Sequence, residues 1–155
     1  MPLFQLQTPG DMLSKAKRER KRMADQIDVD HVYNFFTTVT HISDYVGHTG
    51  LVRQADLDGF RNNKIFKLSR DLCDAGKHSK LTKIGRITPS TEAYENNMFL
   101  APFGAWNFGP QAENWMVHSD DKWIHISVIA DEILLLWSQF FKQHEIDDKP
   151  SNSSL

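Results

Sequence analysis

Residues 114–145 read NWMVHSDDKWIHISVIADEILLLWSQFFKQHE, and the hydrophobic period changes inside this stretch. In 114–119 and 122–126 apolar and polar residues alternate around Asp120-Asp121, the pattern of two strands joined by a tight turn. Beyond Ser127 the apolar residues Ile129, Ala130, Ile133, Leu134, Leu136, Trp137, Phe140 and Phe141 recur at three- and four-residue spacing. That spacing predicts a helix over 128–145 with an unusually wide apolar band. Ser127 is the expected N-cap, with Asp131 and Glu132 complementing the dipole in the first turn. The stretch therefore predicts a mainly α chain with one β-hairpin inserted before its last helix.

Upstream, the helical period dominates. Residues 11–27 place Leu13, Ala16, Arg20, Met23 and Ile27 on one side, with Asp11 as the expected N-cap after Pro9-Gly10. Arg20 interrupts that apolar stripe, either snorkelling at its edge or lying buried and paired with a carboxylate elsewhere. Residues 30–47 form the next helix, with Val32, Phe35, Phe36, Val39, Ile42 and Val46 as its apolar face. Gly47, Gly50 and Gly59 mark 47–59 as a loop or short helical pieces. A third helix is expected over 61–77, with Ile65, Leu68, Leu72 and Gly76 facing one way. Residues 82–112 carry Gly85, Pro89, Pro102, Gly104, Gly109 and Pro110, and read as irregular structure with a strand near 82–88. The pattern describes one globular domain over 1–146 and a disordered tail over 147–155, DDKPSNSSL.

The chain has 155 residues, enough for one domain with a real core. Its 18 basic and 20 acidic residues give a net charge of −2, which excludes a generally basic nucleic-acid coat. The charge is polarised. Residues 15–22, KAKRERKR, hold six of the basic residues, so 1–22 carry +4 and the remainder −6. Cys73 is the single cysteine, which excludes an internal disulfide and any multi-thiolate zinc site. No run of about 18 apolar residues occurs, and the N-terminus lacks the pattern of a signal peptide. No membrane partner and a cytoplasmic location are the expectations.

Two polar strips lie opposite the apolar faces: His41, Asp44 and His48 on one helix, and Asp71, Asp74 and His78 on another. The spacing suits ligands converging on a metal, yet neither strip is a full ligand set. Lys67 and Asp71, and Arg70 and Asp74, are spaced for surface ion pairs. The reading is solvated faces without a metal, the alternative being a polar cleft that contains Asp44 and Asp74. His78 at the end of its helix suits general acid–base work, and Lys77, Lys80 and Lys83 beside it suit phosphate. Trp106, Phe108, Trp115 and Trp123 could stack bases, but lack interleaved basic residues and read better as packing. Lys17, Arg18 and Arg20 make the basic helix a docking surface for an RNA or protein partner.

Several stretches taken together resemble a family of uncharacterised bacterial proteins. They are DMLSKAKRERKRM, VYNFFTTVTHISDYV, LCDAGKHSKL and EILLLWSQFF, and the likeness spans about residues 8–145. The helical arrangement is also similar to the HEPN group of small, usually dimeric, all-α proteins. Many of these are ribonucleases of toxin–antitoxin and phage-defence systems, marked by an Arg, four to six residues, then a His. The resemblance implies Arg70 and His78 as the catalytic pair, although here seven residues separate them. The chemistry it implies needs no metal and no cofactor. Two readings follow: a non-catalytic interaction module in a defence or toxin–antitoxin setting, or a metal-independent ribonuclease. A homodimer is expected in either case, formed through the edge of the last helix near Ala130 and Leu134, with Leu135 beside it.

Overall fold

The computed structural model describes residues 5–78 and 116–151, excluding the side chains of 75–78 and 118. The expected strand near 82–88 and the irregular stretch 82–112 lie outside the described residues. Among the described residues five helices and one hairpin follow in order: α1 (Pro9–Asp25), α2 (Val29–Thr49), α3 (Gln54–Arg61), α4 (Lys64–His78), β1 (Met116–Ser119), β2 (Lys122–His125) and α5 (Ile126–Gln143). The fold is mainly helical with a small two-stranded sheet.

The hairpin lies where the period change places it. β1 and β2 are antiparallel, with Met116 opposite His125 and Ser119 opposite Lys122. Asp120 and Asp121 occupy the left-handed region at φ of 50° and 59°. Both central residues of a type I′ turn need that conformation, which Asp tolerates better than most residues. Lys64, at the start of α4, reaches the turn through a 2.6 Å ion pair to Asp120.

The helix ends correct the sequence expectations. Thr8, not Asp11, caps α1, and its hydroxyl accepts from the Asp11 N–H at 3.1 Å. Asp11 is the third helical residue and accepts from the Thr8 N–H at 2.9 Å, which completes a capping box. Pro9 sits at the first helical position, where its missing N–H costs nothing. α2 runs through Thr49 and stops at Gly50, whose φ of 69° a side chain would resist. Of the loop or short helical pieces expected over 47–59, a short helical piece is observed: Gln54–Arg61 form α3 before α4 begins at Lys64. α5 is capped by the His125 ring, whose Nδ1 accepts from the Ser127 N–H at 3.1 Å. The expected Ser127 cap is therefore two residues late, and Asp131 and Glu132 lie beyond the first turn.

The core gathers around Trp137, which is fully buried. Its ring centroid lies 4.0 Å from Phe60 of α3 and 6.2 Å from Phe66 of α4, with Phe140 and Phe141 of its own helix at 5.7 and 6.2 Å. Its indole N–H donates to the Val39 carbonyl of α2 at 2.9 Å, so one side chain joins four helices. α1 and α2 form an antiparallel pair: Lys15 Nζ donates to Thr38 Oγ1 at 2.8 Å, and the Tyr45 hydroxyl to the Leu6 carbonyl at 3.1 Å. Ala130 is completely buried in this core. The apolar edge expected to mediate a dimer through Ala130 is therefore covered within the chain, while Leu135 stays 57% exposed.

The end of α5 turns back on α1. Ile146 N–H donates to the Phe141 carbonyl and Glu145 N–H to the Lys142 carbonyl, with Glu145 at φ 54°, the bonds of a Schellman motif. Residues 147–151, which the sequence sets apart as disordered tail, are instead laid across the start of α1. Ser151 donates to the Asp11 carboxylate from its N–H at 2.7 Å and from its hydroxyl at 2.9 Å. Gly10 lies under this strap, where a Cβ would collide with the Lys149 carbonyl oxygen and stand 2.7 Å from that of Asp147. Residues 152–155 lie outside the described residues.

Trp137→Phe should lower stability by about 1–3 kcal/mol through the lost buried N–H bond and volume, measured by chemical denaturation. Burial acts to raise the Asp11 pKa, but its hydrogen bonds to Ser151, Gln7 and Thr8 outweigh this and hold it below the ordinary 3.8. A depressed carboxylate stabilises the fold above the unfolded-state value and loses that contribution as pH falls through the folded one. Asp11→Asn should therefore lower thermal stability at neutral pH by about 1–2 kcal/mol and flatten its dependence below pH 4. Gly10→Ala should loosen the strap, seen as faster hydrogen exchange over 147–151.

Candidate functional site

The basic run is divided by the helix that carries it. Lys15 and Arg22 converge on the buried Glu19, at 3.2 and 2.8 Å from the same carboxylate oxygen. Arg20 grips Asp131 of α5 with two bonds, Nε to Oδ1 at 2.7 Å and a terminal nitrogen to Oδ2 at 3.2 Å. Each sequence reading for Arg20 is met in part: it pairs with a distant carboxylate, but from the edge of the apolar stripe and not as a buried side chain. Lys17, Arg18 and Lys21 remain exposed, and no carboxylate of the described residues lies within ion-pair distance of them. At 100° per residue they share one side of α1, spread over about 6 Å of its axis.

The two polar strips do not become equivalent solvated faces. Asp44 and His48 of α2 are exposed and His41 is half-buried, whereas Asp71 of α4 is only 2% exposed and Asp74 is half-buried. α4 buries Phe66, Leu68, Ser69, Asp71, Leu72 and Cys73, which cover roughly 220° around its axis and leave the remaining side to Lys67, Arg70 and Asp74. The expected Lys67–Asp71 surface pair is absent, and among the described residues Lys67 makes no ion pair. No three His, Cys, Asp or Glu side chains among the described residues assemble as a metal-holding group.

Arg70 lines an open cleft of about 470 Å³ at the junction of α3 and α4, together with Asp58, Gly59, Arg61, Asn62 and Lys67. Arg61 is the residue that sequence reasoning missed. It lies at the last position of α3, and its guanidinium stands 3.6 Å from Asp44 and 3.8 Å from Asp58. It also donates to the Ser43 carbonyl and hydroxyl, both at 3.4 Å. Arg61 thus approaches Asp44 of α2 while lining the same cleft as Arg70 of α4. Only the i, i+3 spacing of Lys67 and Arg70 signals this cleft in the sequence, since Arg61 joins it through the chain reversal at 62–63. The side chains of Lys77 and His78 lie outside the described residues, as do Lys80, Lys83, Trp106, Phe108 and Trp115. The α4 backbone reaches His78, about 80° around and 12 Å along the axis from Arg70. Trp123 of β2 is 39% exposed.

Within the described residues no helix is long and apolar enough to cross a membrane. Compared with known proteins, the chain matches no family model, no curated protein and no solved structure.

Proposed function

We propose that the chain is a HEPN-like, non-catalytic interaction module that docks RNA on the exposed side of α1, in the defence or toxin–antitoxin setting that the resemblance implies. The observation that carries this reading is the sorting of the basic run. Lys15, Arg20 and Arg22 spend their charge on carboxylates of the same chain, while Lys17, Arg18 and Lys21 present theirs to solvent. A chain of net charge −2 that keeps three adjacent cations uncompensated has a local surface suited to a polyanion. The apolar side of α1, with Leu13, Ala16 and Met23, is committed to the core, which leaves electrostatics as the docking force.

The alternative is a metal-independent ribonuclease. Its support is Arg70 at an open cationic cleft, on the helix that also carries His78. His78 would take the proton of the ribose 2′-hydroxyl as that oxygen attacks the adjacent phosphorus and expels the 5′-oxygen, and Arg70 would stabilise the phosphorane charge. The expected homodimer belongs to the same proposal. Ala130 being covered, its apolar contact is the α5 stripe of Val128 and Leu135, 46% and 57% exposed and two helical turns apart.

Fluorescence anisotropy with a single-stranded oligoribonucleotide tests the leading reading. Replacing Lys17, Arg18 and Lys21 by Gln should reduce the salt slope of log K by about 2, at roughly 0.7 per phosphate contact. Arg20→Gln should change it little, since Asp131 already holds that guanidinium. Binding that is indifferent to the triple substitution would remove α1 from the interface. Cleavage of the RNA, abolished by both Arg70→Ala and His78→Ala, would favour the nuclease instead. For the dimer, Leu135→Glu should convert a two-chain mass to a one-chain mass in light scattering.

A further inference from the structure

The cationic side of α1 is a short window with carboxylates beyond both ends. Lys17, Arg18 and Lys21 fall within about 100° around the helix and about 6 Å along it. Asp25 lies on the same side, one turn after Lys21. It is exposed and makes no ion pair among the described residues. A carboxylate in the last turn of a helix opposes the macrodipole, so Asp25 does not stabilise α1. Gly10 lies on that side two turns before Lys17, and there the 147–151 strap crosses the helix. The strap carries the exposed Asp147 and Asp148.

The helix that carries this window offers nothing but charge. Its sequence, PGDMLSKAKRERKRMAD, has no aromatic ring for a base to stack on and no Asn or Gln to pair with a base edge. Single strands are held largely by such stacking, worth about 1–3 kcal/mol per base. On α1 that contribution is missing, and phosphate contacts carry the affinity.

Both properties favour a duplex. A strand laid along α1 runs out of cations within about two turns in either direction and meets Asp25 at one end and the strap at the other. A ligand that crosses the helix meets the three cations and leaves the carboxylates to its sides. Within so short a window, the density of phosphates decides the affinity. A duplex carries one charge per about 1.7 Å of its axis, and one strand carries half that density. Each contact accordingly contributes about 0.9 to the salt exponent on a duplex and about 0.7 on a single strand.

We propose that α1 takes RNA in its double-stranded form, crossing the helix at Lys17, Arg18 and Lys21 and held by phosphates alone. The inference rests on α1 being the docking surface and adds the kind of RNA that the surface selects. Three contacts, each 0.2 larger in the exponent, separate the two forms by 0.6 in log affinity per tenfold change in salt. With the two forms equal near 1 M salt, where the charge contribution vanishes, the duplex is favoured about sixfold at roughly 50 mM and about two- to threefold at roughly 200 mM. Sequence plays no part in that preference.

The test is fluorescence anisotropy of the full chain with an unstructured oligoribonucleotide, with the same strand annealed to its complement, and with a second duplex of unrelated sequence. The two duplexes should bind equally, and tighter than the single strand by about sixfold at roughly 50 mM salt. Replacing Lys17, Arg18 and Lys21 by Gln should abolish the preference and lower the salt slope by nearly 3 on the duplex, against about 2 on the single strand. Asp25→Asn, which removes no fold contact, should raise single-strand affinity more than duplex affinity and so narrow the gap. Single-strand binding that equals or exceeds duplex binding at low salt, yet is lost in the triple variant, overturns the proposal and leaves docking on α1 standing. Indifference of both forms to the triple substitution removes α1 itself, and the duplex inference with it. A duplex preference that survives the triple substitution, or that differs between the two duplex sequences, also overturns the proposal, because groups other than these three cations would then make the choice.

Discussion

The hydrogen bond from the Trp137 indole to the Val39 carbonyl fixes how α5 lies on the rest of the molecule. A buried indole N–H without an acceptor is costly, so the ring has one permitted orientation against α2. In that orientation its faces and edges meet Phe60, Phe66, Phe140 and Phe141, which ties α3 and α4 to the same point. The α3–α4 junction, and with it the placement of Arg61 beside Lys67 and Arg70, is a consequence of that anchoring. The cleft is built on the most constrained part of the core, with Arg61, Lys67 and Arg70 half-buried along it.

The α1 surface is governed by a different constraint. A run such as KAKRERKR has too many like charges for one helix unless some are compensated. Glu19 takes two of them from within α1 and Asp131 takes a third from α5. Neutralising the inner cations holds α1 in place, and the outer three are left for something other than folding. Exposed ion pairs contribute little to stability, so the value of the Arg20–Asp131 pair lies more in orienting the two helices than in energy.

Legibility from sequence followed the range of the interactions involved. The hairpin and α5 are readable because a change of period is a local signal, and Asp120-Asp121 marks the turn directly. The cap of α1 was misread because Pro9-Gly10 resembles a turn, whereas Pro at the first helical position continues the helix and Thr8-x-x-Asp11 forms the box. The polar strip on α4 misled in a more general way. Periodicity assigns a helix one narrow buried face, but the buried arc of α4 is wide enough to take in Asp71 at its edge, where the pattern placed it in solvent. Of the candidate site, Arg70 and Asp44 were visible as residue types. Arg61, which lies beside Asp44 and along the cleft of Arg70, was invisible because its role depends on where α3 stops and how the chain reverses into α4.

The strap over Gly10 has a consequence for how the sequence can drift. Position 10 is restricted by atoms that lie some 140 places downstream, since carbonyls of 147 and 149 occupy the space a side chain would need. A homologue that ends before residue 147 would be released from this restriction and could carry any helix-forming residue there. Homologues that keep the strap should keep glycine at 10 together with an acidic residue at 11 and a hydroxyl donor at 151. Joint variation of these three sites across lineages is the evolutionary trace that the contact between the two ends of the chain should leave.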